Sequence, residues 1–506
     1  MKKNLLGCFG VIATLVVLQF TQTETHAGLF DNIKPCDEVG ECNPCDNVCD
    51  DVAVTDCDPC GEIDVCNKKK SKWFVTGYLE AGFFANEYGQ KNVYAPKEAG
   101  FSHNTHDTVK YGNGYDTLEG RWRDWNLTPK KPLQNVSNTG GQLNQLYISL
   151  GKSVDGRYGW DLGGTVDFTF GTDAEMVQSA GLEYDAGHGP DSWGTGDYYS
   201  AFAQAYFEAA YKKWNFKAGK FYLPFGSNEY ESTQRFFYSL PNTFEVVPET
   251  AGGALANYTV NDRLSISAGW IQPNQFGESA HDNAFLGGIN FQATKKLNLH
   301  YVFAIGKDTA SDIIKINKGT ETQMIRNNAN YFINSFVATY QFNKKWKYTF
   351  DWSLKNFNNE HESSTLYWED LGSFGDEIVR IMNYGINNEL IYRYNSKWAF
   401  GVRACWGHSG YSYHDQDPTF GGDYFFWTYQ NRYSFSLGAN WTPTKWLIVK
   451  PELRYDVYDL TRWDCTADYH PTEPGHWGRG SRQDKPFNNG KNKDQFAGGV
   501  SAIVKF

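Results

Sequence analysis

The sequence predicts an all-β protein: a closed antiparallel transmembrane β-barrel of about sixteen strands, preceded by a cysteine-rich N-terminal segment. Three observations favour this fold. Apolar and polar residues alternate along many segments, long and short connections alternate between those segments, and the chain begins with an export signal. The alternation is the main evidence, because one face of a barrel wall meets lipid and the other meets water.

The composition fits strands rather than helices as the membrane-spanning elements. Of the 506 residues, 17% are aromatic and 50 are glycine, yet the mean hydropathy is −0.57. No apolar run beyond the N-terminus is long enough for a transmembrane helix. The alternative is a large soluble β protein, such as a propeller or a sandwich. That alternative predicts short connections at both ends of the strands.

Residues 1–27 have the three parts of an export signal. Lys2 and Lys3 precede an apolar run from Leu5 to Leu18, and cleavage is expected after Ala27. Lipidation at Cys8 is a weaker interpretation, because Cys8 comes before the apolar run is complete. Export places the rest of the chain in an oxidising compartment.

Residues 28–72 form an acidic, cysteine-rich segment that ends in a lysine-rich linker, and we expect this segment to lie in the periplasm. Its seven cysteines are Cys36, Cys42, Cys45, Cys49, Cys57, Cys60 and Cys66. Disulfides are favoured over a zinc site in an exported chain, although two cysteine pairs have zinc-site spacing. Because seven is odd, one thiol is left to form an intermolecular disulfide or to stay free. Residues 36–66 could also contact the cell wall.

The charge is concentrated in this segment. The net charge is −11, of which residues 28–67 account for −10 and residues 1–27 for +1, which leaves −2 for residues 68–506. Residues 68–506, which contain the predicted barrel at 73–506, are therefore close to neutral. No block of basic residues indicates nucleic-acid binding.

Alternation with a period of two predicts the strands. In residues 447–457, for example, Leu453 and Tyr455 share one face, while Glu452, Arg454 and Asp456 share the other. The predicted strands are 73–85, 141–151, 158–170, 200–211, 214–222, 251–260, 264–272, 284–294, 297–306, 332–342, 346–356, 382–393, 398–407, 427–441, 446–458 and 495–506. The last of them ends on Phe506, and we expect it to pair with the first strand and close the barrel.

The connections between these strands are short at one end and long at the other. Several short ones place lysine before tryptophan, as in Lys345-Trp346 and Lys397-Trp398, which fits a polar turn beside the membrane interface. The long connections are near 86–140, 171–199, 223–250, 273–283, 307–331, 357–381, 408–426 and 459–494. This asymmetry is typical of outer-membrane barrels, whose short turns are periplasmic and whose long loops are extracellular.

Two stretches between residues 142 and 240 resemble the OmpL-like β-barrel porin family of Gram-negative outer membranes. The first contains QLNQLY at 142–147, GWDLGGTVD at 159–167 and GTD at 171–173; the second contains AQAYFE at 203–208, KAGKFYLPFG at 217–226 and FFYS at 236–239. The resemblance implies a passive channel for small hydrophilic solutes and ions, and a homotrimer in outer-membrane lipid. The cysteine-rich segment is not part of the family pattern.

The resemblance to sixteen-stranded porins also nominates the connection after the fifth strand, residues 223–250, as the segment that narrows the pore. Its charged candidates are Glu229, Glu231, Arg235 and Glu245, and the basic wall candidates opposite are Arg403, Arg432, Lys450 and Arg454. Acids on the loop facing bases on the wall would create a transverse field across the pore. Ordinary solvated charges are the alternative for each residue.

Other chemistry is weakly indicated. Cys405 and Cys465, the two cysteines of the predicted barrel, are expected near its outer end and to form a disulfide. The stretch His414 to Asp417 could hold a divalent cation, but a solvated loop is favoured, and we expect no metal or other cofactor. No defensible catalytic arrangement is found, so an enzyme is not expected. A structural envelope protein, cross-linked through the cysteine-rich segment with or without pore activity, is the alternative to a porin.

Overall fold

The fold is described from a computed structural model of the chain. It describes residues 72–88, 140–183, 193–195, 198–273, 276, 283–308, 313–318, 321–326, 329–360, 367–368, 372–373, 378–417, 422–467, 477–484 and 492–506. The predicted signal peptide, the cysteine-rich segment and most of the first long connection, which includes His103 and His106, lie outside these ranges.

Within the described ranges, sixteen strands form the wall of a barrel, and each of the sixteen predicted segments coincides with one of them. The strands are β1 Lys72–Asn86, β2 Gly140–Ser153, β3 Asp161–Gly171, β4 Tyr198–Tyr211, β5 Trp214–Tyr222, β6 Thr250–Asn261, β7 Leu264–Pro273, β8 Ala284–Thr294, β9 Leu297–Asp308, β10 Ala329–Gln341, β11 Trp346–Glu360, β12 Ile378–Arg393, β13 Trp398–Asp417, β14 Gly422–Thr444, β15 Leu447–Ala467 and β16 Asp494–Lys505. Shorter strands at Gly194–Thr195 and Trp477–Asp484 add to β4 and β15.

The wall is antiparallel and closed. Each strand pairs with its neighbour in sequence, and β16 pairs with β1 from Tyr78↔Lys505 to Asn86↔Ala497. The last residue completes this seam, because Phe506 and Gly77 exchange two backbone hydrogen bonds of 2.9 Å. The expectation that the final strand closes against the first is confirmed.

The two faces of the wall differ as the alternation predicts. On β14 and β15 the outward-facing Phe435, Leu437 and Leu453 are exposed by 54%, 59% and 50%, whereas the inward-facing Ser434 and Arg454 are exposed by 1% and 5%. Large apolar side chains therefore cover the outside, and polar and charged ones line the inside of these strands. This is the sidedness that a wall between lipid and a polar interior requires.

Seven short turns lie at one end of the barrel: residues 154–160, 212–213, 262–263, 295–296, 342–345, 394–397 and 445–446. Asparagine organises two of them. Asn343 Oδ1 accepts hydrogen bonds from the backbone N–H groups of Lys345 and Trp346, and Asn395 Oδ1 does the same for Lys397 and Trp398. Such Asx turns reverse the chain in few residues and leave the tryptophans exposed beside the turn.

The long-loop end differs from the prediction because strands occupy parts of several expected connections. Strand β15 extends to Ala467 and pairs with Trp477–Asp484, and a hairpin of Ile313–Lys318 and Glu321–Arg326 lies within 307–331. Strands β13 and β14 pair as far as Asp417↔Gly422, so the connection expected at 408–426 is largely a ladder of backbone hydrogen bonds. His414 to Asp417 therefore belongs to a strand and not to a solvated loop. Alternation predicted the parts of these strands with one apolar face, and it weakens in the outer parts.

No helix in the described part of the chain has the length and apolarity needed to span a membrane.

Candidate pore constriction

The segment Leu223–Glu249, which connects β5 to β6, folds into the barrel. It contacts inward-facing side chains of distant strands: Ser232 Oγ donates to Glu80 of β1, and Ser227 Oγ donates to Asp351 of β11 at 2.9 Å. We call this segment the inner loop. Its position agrees with the segment that the family resemblance nominates, and it explains why inward-facing polar side chains of the wall are buried.

An apolar cluster fixes both ends of the inner loop against one side of the wall. Leu223 and Phe225 near its start and Val246 and Val247 near its end are buried. The inward-facing wall residues in the same cluster are Ala251, Leu255, Ile271, Ala284, Leu286, Val302, Ala304 and Ile333. Because burial of one such loop side chain contributes about 1.5–3 kcal/mol, the four together hold the ends of the loop firmly.

Basic wall residues bind the backbone of the inner loop. The Lys450 ammonium donates to the carbonyl oxygens of Ser232 at 2.6 Å and Arg235 at 2.5 Å. Arg403 donates to the carbonyl oxygen of Ser239 at 2.7 Å, and Arg454 donates to that of Leu240 at 2.9 Å. These three side chains clamp the middle of the loop to β13 and β15.

Buried carboxylates neutralise the clamp. Arg403 lies 3.1 Å from Glu452, and Arg454 lies 2.7 Å from Asp456. Glu452 also accepts hydrogen bonds from the N–H and the hydroxyl group of Ser239, at 2.7 and 2.6 Å. The network therefore joins two wall arginines, two wall acids and the loop backbone into one buried unit.

Arg235 and Arg432 do not face an open pore either. Arg235 is buried and lies 3.4 Å from Asp173 and 3.9 Å from Glu80, so it ties the loop to acids of the interior. Arg432 is buried on β14, and its carbonyl oxygen accepts a hydrogen bond from Asn242 of the loop. Glu245 lies in the short 3-10 helix Phe244–Val246, and its side chain is outside the description.

The predicted transverse field is therefore corrected. The sequence reasoning placed loop acids opposite wall bases, whereas the structure pairs the wall bases with loop carbonyls and wall acids. The physical reason is that a backbone passing through the interior needs donors for its carbonyl groups, and arginine and lysine supply several each.

Acidic side chains of the inner loop remain nearest to solvent. Glu229 is exposed and Glu231 is partly exposed. Burial of Glu231, reinforced by the nearby carboxylates Asp167 and Glu229, raises the pKa of its carboxyl group to about 8. Burial and then Glu229 also raise the pKa of Glu249 well above its usual value. The three loop carboxylates therefore lie close enough to affect one another.

Tyrosines surround Glu231. The Tyr147 hydroxyl donates to Asp167 at 2.8 Å and lies 3.4 Å from Glu231 Oε1 and 3.2 Å from the Tyr222 hydroxyl. The Tyr230 hydroxyl is 3.0 Å from the hydroxyl of Thr169 on β3. Neutral hydroxyl groups thus make up much of the surface beside the loop acids.

A second segment, Gln178–Glu183, completes the wall where β4 and β5 separate. Their pairing stops at Ala205↔Lys220, next to Gly219, whose φ of 136° favours glycine. Gln178 Nε2 donates to the carbonyl oxygen of Ser200 on β4. On the other side, the Lys220 ammonium of β5 lies 2.8 Å from Glu183, and both side chains are fully buried.

Sequence reasoning missed several residues of these networks. They are Glu80, Asp173, Glu183, Lys220, Ser239, Asp351, Glu452 and Asp456. The signal was present for Asp351, Glu452 and Asp456, which lie on the polar faces of predicted strands. For the others, nothing in the sequence shows which loop group each side chain would meet.

The predicted disulfide is also corrected. Cys405 is a free, buried thiol whose Sγ lies 3.0 Å from Asn387 Oδ1. Cys405 pairs with Ser434 on β14, whereas Cys465 pairs with Phe425, nine residues earlier on the same strand. Nine residues of strand span about 30 Å, far beyond the Cα separation of about 4–7 Å that a disulfide allows.

The described residues contain no group of three or more His, Cys, Asp or Glu side chains arranged to hold a metal ion.

The comparisons with solved structures find outer-membrane proteins at low identity. OmpT of Vibrio cholerae with loop L8 deleted matches with a TM-score of 0.46 and 11% identity over 86% of this chain and 99% of that one. An anion-selective porin from Comamonas acidovorans matches with 0.42 and 11% over 86% and 100%. The channel DcaP of Acinetobacter baumannii matches with 0.42 and 10% over 86% and 97%.

No curated protein sequence matches this one. The family comparison is decisive: the model described as "Putative beta-barrel porin-2, OmpL-like" matches residues 74–506, which is the whole of the barrel. With its closed sixteen-stranded wall and inward-folded loop, the chain belongs to this OmpL-like β-barrel porin family.

Proposed function

We propose that the protein is an outer-membrane porin whose water-filled channel admits small hydrophilic solutes and ions by passive diffusion. The observation that supports this most is the inner loop, which is held inside a closed, lipid-compatible wall by buried charges. A rigid loop in that place narrows the interior without requiring a moving part. Selectivity then depends on the pore width and on the side chains beside the loop.

The channel would pass the acidic side of the inner loop. There Glu229 is exposed, whereas the wall bases Arg403, Lys450 and Arg454 are buried and bound to loop carbonyls or wall acids. Because Arg403 and Arg454 are paired with wall acids and the pKa of Glu231 is raised to about 8, the exposed Glu229 dominates the local potential near neutral pH. We therefore favour cations over anions as the permeant ions.

Planar-bilayer recording of the purified protein tests the channel. We expect discrete conductance steps for the natural protein. Lys450→Ala removes the donor to two loop carbonyls, which costs about 1–3 kcal/mol for each unsatisfied group, so we expect larger or noisier steps. Lys450→Arg keeps donors there and should restore steps closer to the natural size. Folded barrels that never conduct would contradict the proposal.

The alternative is a structural envelope protein that is cross-linked through its cysteine-rich segment. It predicts large oligomers that disappear in reductant, together with no conductance. Non-reducing electrophoresis beside the bilayer recording separates the two functions, and both results together would indicate a porin that is also cross-linked.

We further propose the processing and arrangement of the chain. Residues 1–27 are an export signal, residues 28–72 lie in the periplasm, and residues 73–506 form the barrel. Family membership supports the outer membrane as the location, and homotrimers are proposed on the same basis. Mass spectrometry of the mature N-terminus and native mass determination in detergent test these statements.

A further inference from the structure

The short-turn end of the barrel is strongly basic. Three of its seven turns each carry two exposed lysines: Lys212 and Lys213, Lys295 and Lys296, and Lys344 and Lys345. Counted over all seven turns, there are ten Lys or Arg residues against two Asp residues, a formal charge of +8. We call this end the basic rim. The small net charge of residues 68–506, which is −2, conceals it.

The acidic N-terminal segment is attached at the same end. Lys72, the first residue of β1, pairs with Ser153, the last residue of β2, immediately before the first short turn. Residues 28–67, which carry a formal charge of −10, end five residues before Lys72. The chain therefore attaches this acidic stretch to the end of the barrel that carries the turn lysines.

Length permits contact with distant turns. Without disulfides, a chain of 40 residues would have a root-mean-square span of about 35 Å, and disulfides within the segment would shorten it. The short tether at 68–72 keeps the local concentration near the millimolar range. Each exposed ion pair is weak and screened by salt, but many pairs form at once on a tethered segment. The linker lysines at 68–70 reduce the opposing charge only to −7.

We propose that residues 28–67 dock electrostatically on the basic rim of the same barrel. In this interface the carboxylates of the segment contact the turn lysines of the basic rim. This inference concerns an intramolecular interface and does not depend on the conductance of the pore. Anionic phospholipid is the competing occupant of the same lysines.

Zero-length carbodiimide cross-linking of the full mature protein in neutral detergent, followed by peptide mass spectrometry, tests the docking. We expect Asp or Glu residues of 28–67 to be joined to lysines of at least two turns beyond the first. Sodium chloride at about 0.5 M should reduce these products about fivefold, because screening shortens the range of the attraction. Products confined to Lys68–Lys72, or products that do not respond to salt, would overturn the proposal.

Charge reversal provides the matched control. Lys344→Glu with Lys345→Glu should lower cross-linking at the unaltered Lys295, Lys296 and Lys397 about threefold. Lys307→Glu with Lys493→Glu makes the same change at the long-loop end, where both lysines are exposed, and should leave those products unchanged. Equal effects of the two pairs would overturn the proposal. Loss of the products in phosphatidylglycerol vesicles, but not in phosphatidylcholine vesicles, would assign the rim to lipid instead.

Discussion

At the residue scale, the interior is organised by charges that meet backbone groups. The inner loop passes through the barrel with its carbonyl groups turned to Lys450, Arg403 and Arg454, so donors of the wall replace the water that an exposed loop would use. Removing one of these donors leaves a buried carbonyl unpaired, which is costlier than losing an exposed hydrogen bond. The basic wall residues therefore hold the inner loop in place, and they affect permeant ions only through the position of that loop.

We expect the stability of the folded protein to depend on pH through Glu231. Burial raises the pKa of its carboxyl group from an ordinary 4.5 to about 8, so the folded protein binds a proton there that the unfolded chain releases. Its contribution to stability is complete below pH 4.5 and is lost as the pH rises through 8. Allowing for solvent screening, we expect a loss on the order of 1–2 kcal/mol.

The measurement is the temperature at which the folded band is lost on an unheated gel, taken at pH 5, 7 and 9. The natural protein should melt at lower temperature as the pH rises, and Glu231→Gln should flatten that dependence, because its amide does not ionise. Asp262→Asn, at an exposed short turn, is the control. If the Glu231→Gln protein keeps the pH dependence of the natural protein, a group other than Glu231 causes that dependence.

Sequence reasoning predicted the residue types of this interior but not their partners. The polar face of β15 pointed to Arg454 and Lys450 as inward residues, and the structure places both inside. Their ligands, the carbonyl groups of Ser232 and Leu240, carry no sequence signature because every residue has a carbonyl. Only the path of the inner loop through the barrel shows which carbonyl groups meet Lys450 and Arg454.

At the element scale, one segment outside the strands joins two neighbouring strands of the wall where their pairing ends. Strands β4 and β5 separate above Ala205↔Lys220, and Gln178–Glu183 bridges them. Glu183 accepts hydrogen bonds from the N–H groups of Ser179 and Phe202 as well as from Lys220. One carboxylate thus orders the bridging segment, β4 and β5 together.

Single and double substitutions distinguish the role of this buried pair. Lys220→Met leaves the Glu183 carboxylate without its cation, and we expect the free energy of unfolding to fall by about 3–5 kcal/mol. Lys220→Met with Glu183→Gln removes both charges and keeps one of the two oxygens that accept from the backbone N–H groups, so part of the loss should return. Heat-induced loss of the folded band compares the three proteins. A double variant no more stable than the single one would show that the ion pair itself is required.

Strands were predicted correctly in the parts that have one apolar, lipid-facing side. The prediction was weaker in the outer parts of the strands, where no such side is present. Alternation located β14 and β15 because apolar residues such as Phe435 and Leu453 recur on the outer face. The outer ends of β13 and β14 were missed because that pattern weakens beyond the predicted membrane-spanning region. The prediction of a disulfide between Cys405 and Cys465 was wrong for a related reason. The register of the strands separates the two cysteines, and register cannot be predicted before the ends of the strands are known.

At the scale of the whole molecule, the uneven distribution of charge matters more than its sum. Residues 68–506 carry only −2, yet Arg403 and Arg454 are paired with acids inside, the turn lysines gather at one end, and acids remain on the inner loop. The net charge alone therefore could not predict whether cations or anions are preferred, whereas the positions of the charged side chains can. We expect the exposed Glu229 to set the local sign of the potential.

We expect the channel to prefer potassium to chloride, and Glu229→Lys to lower the permeability ratio by about threefold, because one substitution reverses the charge at the exposed position of the loop. Reversal potentials under a potassium chloride gradient measure the ratio. Raising the pH through 8 should increase the cation preference of the natural protein as Glu231 ionises, and this increase should vanish in Glu231→Gln. Glu87→Lys makes the same charge change at the exposed long-loop end and should shift the ratio less. An anion-preferring natural channel, or equal shifts from the two lysine substitutions, would show that the ions do not pass the acidic side of the inner loop.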